Sequence, residues 1–147
     1  MARALTPLAA IGAAAILAVP AHALSEPAYL TAAQKICTAR ATKMAKLPRL
    51  RVEHATTAQL RKRLEKLLAI YTPGTRKLRA LKPPRSFSFL VPRWLHYENL
   101  RIDLWRKGLK AARQGKLGKA RSYIGASNVR ALRAAEIATG LGLDHCE

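Results

Sequence analysis

Acidic residues are scarce in this chain. It carries 8 Asp and Glu among 147 residues, against 27 Lys and Arg, and its formal net charge at pH 7 is +19. Pairing every acid would still leave most cations without a partner, so the folded protein repels itself and attracts polyanions. The same charge also keeps a protein soluble, a reading that needs no binding partner. Aromatic residues are few, at 5%. There are two cysteines, Cys37 and Cys146, far apart and in no C-x-x-C, which argues against a thiol redox or metal motif. The chain has no H-E-x-x-H, Walker or G-x-S-x-G pattern, and no C-x-x-C-H for covalent haem. Internal repeats and low-complexity segments are also missing.

The apolar run Leu8–Val19 is too short and too lightly flanked for a membrane span. Arg3 precedes it, and Pro20 with Ala21-His22-Ala23 supplies the helix break and small-x-small pattern of a cleavage site. Residues 1–23 therefore read as a secretory signal peptide, with an uncleaved anchor as the rival. No cysteine follows the site, so lipid attachment there is excluded. Residues 24–147 form a single domain, long enough for a core and without a transmembrane segment. Losing Arg3 leaves this mature chain one charge below the +19 of the whole.

Four helical stretches are expected. The first runs from Pro27 to Leu47, capped by Ser25 with Pro27 in its first turn. Leu30, Ala33, Ile36, Cys37, Met44 and Leu47 fall at helical spacing. Thr31 with Gln34 offers a second possible cap, and Pro48 ends the helix. The second opens on Thr56 and Gln59, which have capping-box spacing. Leu60, Leu64, Leu67, Tyr71, Leu78 and Leu81 keep one apolar phase across Pro73-Gly74, with Gly74 at the one missing position. That continuity predicts one kinked helix over 57–81 rather than two short ones. The third spans 88–114 with Val91, Leu95, Ile102, Trp105, Leu109 and Ala112 inward. Glu98 falls on the same stripe, so a partner is required, either Arg101 or a base from another helix. The fourth spans Leu117–Gly140, with Leu117, Ala120, Ile124, Ala131, Ala135 and Ala138 as its small-residue face. Gly140 suits the left-handed position past a helix end.

Four amphipathic helices with short connections imply an all-α, antiparallel four-helix bundle. An even cysteine count in an exported chain favours a disulfide. The bundle brings the end of the fourth helix beside the start of the first, so a Cys37–Cys146 bond would tie the C-terminal tail to helix one. Leu141 and Leu143 would then cover one end of the core.

"KICTARATKMAKLP" in the first helix, "LRALKPP" closing the second, a later Trp94 and the terminal "GLGLDHC" occur in that order. Together they resemble a group of small exported proteins and lipoproteins of high-GC bacteria, with Ile-Cys early, L-x-A-L-x-P-P midway and G-L-x-x-C at the end. The resemblance covers nearly all of the mature chain. It implies the fold and the disulfide, and carries over no catalytic residue. "LTAAQ" at 30–34 is similar to the L-T-x-x-Q signature of Spy-type periplasmic helical chaperones, although a capping box accounts for Thr31 and Gln34 as well.

Catalysis requires convergent acids, bases or nucleophiles. His96 and Glu98 are neighbours, but residues two apart on a helix point to nearly opposite sides. Asp144, His145, Cys146 and Glu147 are potential metal donors, against the simpler reading of a disulfide-bonded tail. A non-enzymatic protein without metal or cofactor is therefore expected. The basic residues are the stronger signal. Lys43, Lys46, Arg49 and Arg51 lie where the first helix ends. Arg61, Lys62, Arg63 and Lys66 begin the second, while Arg76, Lys77, Arg79, Lys82 and Arg85 finish it. Arg106, Lys107, Lys110 and Arg113 end the third, just ahead of Lys116, Lys119 and Arg121. An antiparallel bundle would gather most of these at one end. Cations at helix C-termini suit the dipole, whereas those at 61–63 and 116–119 oppose it, which favours binding.

The leading expectation is thus an envelope or secreted binding module for a polyanion: a cell-wall polymer, anionic lipid, nucleic acid or acidic protein. The alternative is a chaperone-like or hydrophobic-ligand-binding bundle. It rests on a patch of Phe87, Phe89, Trp94 and Tyr97 within "FSFLVPRWLHY", whose apolar residues surround the helix instead of following one stripe. The bland reading is that this cluster covers the end of the core. A purely structural envelope role is the third possibility.

Overall fold

The computed structural model describes residues 23–146. Apart from Ala23, the expected leader lies outside the described residues. Among the described residues four helices follow one another: α1 (Glu26–Ala45), α2 (Thr57–Ala80), α3 (Leu90–Arg113) and α4 (Leu117–Gly140), with a 3-10 turn at Arg85–Phe87. Among the described residues there is no strand, and no helix is long and apolar enough to cross a membrane.

Local chemistry accounts for the helix ends. Ser25 Oγ accepts from the Ala28 amide at 3.4 Å, and Pro27 sits in the first turn of α1, where its missing N–H costs nothing. Thr31 lies inside α1 and caps nothing. At α2, Thr56 Oγ1 accepts from the Gln59 amide at 3.2 Å while Gln59 Oε1 accepts from the Thr56 amide at 2.8 Å, a reciprocal capping box. α2 continues unbroken through Pro73 and Gly74, as the uninterrupted apolar phase required. The C-terminal signal at Gly140 needs correction. Gly140 is still helical, and the left-handed residue is Gly142, at φ 75°. There the Leu143 amide donates to Ala138 O and the Gly142 amide to Thr139 O, both at 2.9 Å, closing the helix in a Schellman motif. Gly115, at φ 72°, ends α3 in the same way and turns the chain into α4 within a few residues.

The helices alternate in direction. Arg113 at the end of α3 pairs with Glu65 near the start of α2 at 3.0 Å. Arg79 at the end of α2 donates to Asn99 Oδ1 in the first half of α3 at 2.6 Å. The α3–α4 interface is the largest, then α2–α3, then α1–α2. The chain is thus an antiparallel four-helix bundle in which α1 makes the smallest helix–helix interface and is tied by the disulfide.

Two apolar clusters fill the bundle. One takes residues from all four helices and the tail: Tyr29, Ala33 and Cys37, then Leu78, Val91, Trp94, Ala134 and Ala138, with Leu141, Leu143 and Cys146. Cys37 and Cys146 are disulfide-bonded, their Cα atoms 4.8 Å apart, closing a loop of 109 residues. In the chain-entropy account, a loop near that length stabilises the fold by about 4.7 kcal/mol. The second cluster draws on α2, α3 and α4: Leu60, Leu64, Leu67, Tyr71, Ile102, Trp105, Leu109, Ala120 and Ile124. There α1 contributes only the half-buried Met44. The inward face of α1 is therefore Tyr29, Ala33, Cys37 and Arg40, with Leu30 and Ile36 to one side and half-buried. On α4, Ser127 and Ala134 are fully buried, while Ala131 and Ala135 are half-buried.

Candidate functional site

Between the two apolar clusters lies a buried polar layer. Glu98 is fully buried and Arg40 is 4% exposed. Arg40 Nη1 donates to Glu98 Oε2 at 2.7 Å and to Thr75 Oγ1 at 3.4 Å. Arg101 Nη1 is 3.9 Å from Glu98 Oε1. The expected partner of Glu98 thus proves to be a base from α1, with Arg101 farther off. Both guanidinium groups stack on Tyr71, at 4.5 Å and 4.7 Å from the ring centroid, and Arg101 also lies 4.8 Å from the Trp105 ring. Such stacking suits the weakly hydrated, planar guanidinium. Trp105 Nε1 donates to Ser127 Oγ at 2.9 Å, and Ser127 donates on to Ile124 O at 2.7 Å.

Gly74 explains how Arg40 enters the layer. A β-carbon on Gly74 would stand 2.6 Å from Arg40 Cδ, so only glycine lets the arginine stem cross α2. The missing apolar position in the α2 stripe is the passage for a charged side chain. The layer also sets register, because sliding α1 by a turn would leave Glu98 without its close partner, and a buried unpaired charge is costly.

The basic residues separate into distinct surfaces. Lys107, Lys110 and Lys119 surround a cleft of about 370 Å³ between α3 and α4, together with Ala111, Gln114 and Tyr123. Its lining contains no acidic side chain. α4 begins at Lys116 without a side-chain cap and has no acid in its first turn, so its terminal amides add to the positive field. A second cleft, of about 260 Å³, lies at the α1–α2 connection among Arg49, Lys62, Arg63 and Lys66. Lys66 joins this cleft because it is one helical turn beyond Lys62, a spacing visible in the sequence.

The structure places the residues of the expected cap differently from one another. Lys46, Arg51, Arg61, Lys116 and the basic cleft residues other than Arg63 are exposed. Arg63 instead donates to Pro48 O at 3.1 Å and so secures the connection as well as lining the cleft. Arg121, likewise, donates to Ala55 O at 3.0 Å. Arg106 pairs with Asp103 at 2.7 Å, and Arg113 with Glu65. Among the described residues, Lys62, Lys107, Lys110, Lys116 and Lys119 have no ion pair. Lys43 sits apart, on a groove between α1 and α2.

The expected hydrophobic patch does not form one surface. Trp94 is fully buried and packs in the first apolar cluster. Phe87 is half-buried, its ring centroid 5.9 Å from that of Tyr29 in an edge-on arrangement. Tyr97 is also half-buried. Phe89 alone stands out, 72% exposed. Most of the aromatic segment closes the end of the core, the burial expected of so much apolar area. At the tail, Cys146 is committed to the disulfide, and among the described residues no group of three or more His, Cys, Asp or Glu is placed to hold a metal ion.

The fold and these sites define a disulfide-closed four-helix bundle with a basic end. No protein-family model matches the chain, and no curated protein or solved structure is detectably similar to it.

Proposed function

We propose that this is an exported, non-enzymatic binding module that engages a polyanion through the basic end of its bundle. One observation carries the reading: Lys107, Lys110 and Lys119 converge on a single cleft whose lining has no acid. Three exposed lysines lining one concavity repel one another, and anionic oxygens taken up there would relieve that repulsion. The uncapped start of α4 adds partial positive charge at the same end. The disulfide supports the exported location, because such bonds persist in oxidising compartments.

Chemically, the partner is a repeating anion such as a phosphate or sulfate polymer, whose charges would follow the exposed bases from one cleft to the next. Affinity should fall steeply with salt, as bound counterions are released on association. The test is retention of residues 24–147 on heparin and on duplex DNA, from low to physiological ionic strength. Retention at low salt that weakens as salt rises supports the proposal, and no retention even at low salt ends it. Among the described residues the large exposed apolar side chains are Phe89, Val129 and Leu132, of which the expected patch supplies Phe89 alone, so the hydrophobic-ligand reading is the less supported of the two.

A further inference from the structure

The side of α4 that faces away from the bundle has a pattern of its own. Gly118, Ser122, Gly125, Val129, Leu132 and Glu136 are all exposed, and they succeed one another in alternating steps of four and three. That is the repeat of a helix that packs along another helix. The core face of α4 lies elsewhere, on Ala120, Ile124, Ser127, Ala134 and Ala138, so the bundle does not use this stripe. Val129 and Leu132 are 55% and 67% exposed. A β-carbon on Gly118 or Gly125 would meet nothing within 4 Å. Packing within the chain therefore gives no reason for glycine at position 125, in mid-helix, where it weakens the helix relative to alanine.

The stripe is complementary to itself. Its first half is small, with Gly118, Ser122 and Gly125, and its second half is larger, with Val129, Leu132 and Glu136. Laid antiparallel on a second copy, about a two-fold axis level with position 127, it sets Val129 against Gly125 of the copy. The same axis sets Leu132 against Ser122 and Glu136 against Gly118. Each larger side chain meets a small one, and each contact occurs twice, as an isologous interface requires.

Charge fits the same partner. The stripe carries no Lys or Arg in a chain with 27 of them, so two strongly cationic copies can approach here. Arg133, at its edge, is paired with Glu136 at 2.9 Å. In the antiparallel pair Glu136 comes beside the start of the other α4, which has no side-chain cap and no acid in its first turn, a favourable place for a carboxylate. The arrangement also sends the two basic ends to opposite ends of the pair, where they repel least.

We infer that the outer face of α4 is a homodimerisation surface, on which two copies pack antiparallel along positions 118–136. The inference does not rest on polyanion binding. One helix pair is a small interface, so the dimer is weak and reversible.

The test is sedimentation equilibrium of disulfide-bonded residues 24–147 at low and high salt, at concentrations up to about 1 mM. The expected result is a monomer–dimer equilibrium that strengthens as salt rises, because screening weakens the repulsion between copies. Polyanion binding responds to salt in the opposite sense, so the two readings fail separately. Leu132→Glu, and Gly125→Leu, which fills the hollow facing Val129, should each weaken the dimer by at least about tenfold. Both positions are exposed, and circular dichroism should show the monomer fold retained. Lys35→Ala, on the exposed side of α1, should not weaken it. A monomer under all conditions, or a dimer indifferent to both α4 substitutions, would overturn the surface. Loss in Leu132→Glu but not in Gly125→Leu would overturn the antiparallel register. Binding of a monomer to phosphatidylcholine vesicles, abolished by Leu132→Glu, would assign the face to lipid and overturn the dimer.

Discussion

The two ends of this bundle are built on different terms. At the disulfide end, all four helices and the tail converge, and the largest fully buried side chains include Trp94, Tyr29 and Leu143. At the basic end, α1 has nearly withdrawn, three helices carry the core, and the surface is crowded with cations. Mutual repulsion there opposes folding. The covalent link and the first apolar cluster lie on the other side of the Arg40–Glu98–Arg101 layer from the basic clefts. The difference teaches a division of labour: both ends have an apolar core, one adds a covalent link and the other the two basic clefts.

Removing the link should have the largest effect. Replacing Cys37 and Cys146 by Ala should cost up to about 4.7 kcal/mol, read by chemical denaturation, with the loss felt first in amide-exchange protection of the tail and the start of α1. Uniform loss along the chain would contradict a cohesive end. Next is the layer itself. Glu98→Ala leaves two guanidinium groups buried without their carboxylate and should cost at least about 3 kcal/mol. A cost below 1 kcal/mol would show that the layer does not join the halves.

Tyr29 offers a smaller and pH-dependent probe. Burial pushes its phenol from the usual 10.0 up to about 12. The folded state thus prefers the neutral form, so stability is intact below pH 10 and falls as pH rises toward 12. Tyr29→Phe should remove that fall, as measured by denaturation at pH 9 and pH 11. Thr56→Ala, which removes the capping box of α2 at the basic end, should cost about 1 kcal/mol.

Much of this division is legible in the sequence, and the misses have physical causes. Periodicity and Pro-Gly punctuation place all four helices, because their apolar stripes are long and their ends carry strong local signals. The constant phase on both sides of Pro73-Gly74 outweighs the turn signal. The face of α1 is harder. An arginine reads as solvent-facing, so Arg40 is passed over and the stripe drifts toward Leu30 and Ile36. Local pattern cannot see that Gly74, on another helix, opens a path for that arginine. Gly140 and Gly142 are both plausible caps, and the choice falls to Leu143, which must turn inward to the core. The basic end is legible as a charge excess near the helix termini. Its separation into two clefts, and the α1–α2 groove apart from them, depend on which lysines face each other across helices. That information is absent from any single stretch of sequence.

The comparison is tested most directly by removing equal charge from each end and measuring the salt dependence of heparin or DNA binding. Lys107→Ala/Lys110→Ala/Lys119→Ala alters the basic end, and Lys82→Ala/Arg85→Ala/Arg93→Ala the disulfide end. The account predicts that the first triple variant lowers the slope of log affinity against log salt by about 2 to 3 with the fold intact, and that the second changes it little. Equal reductions from both variants would contradict a binding surface localised at the basic end.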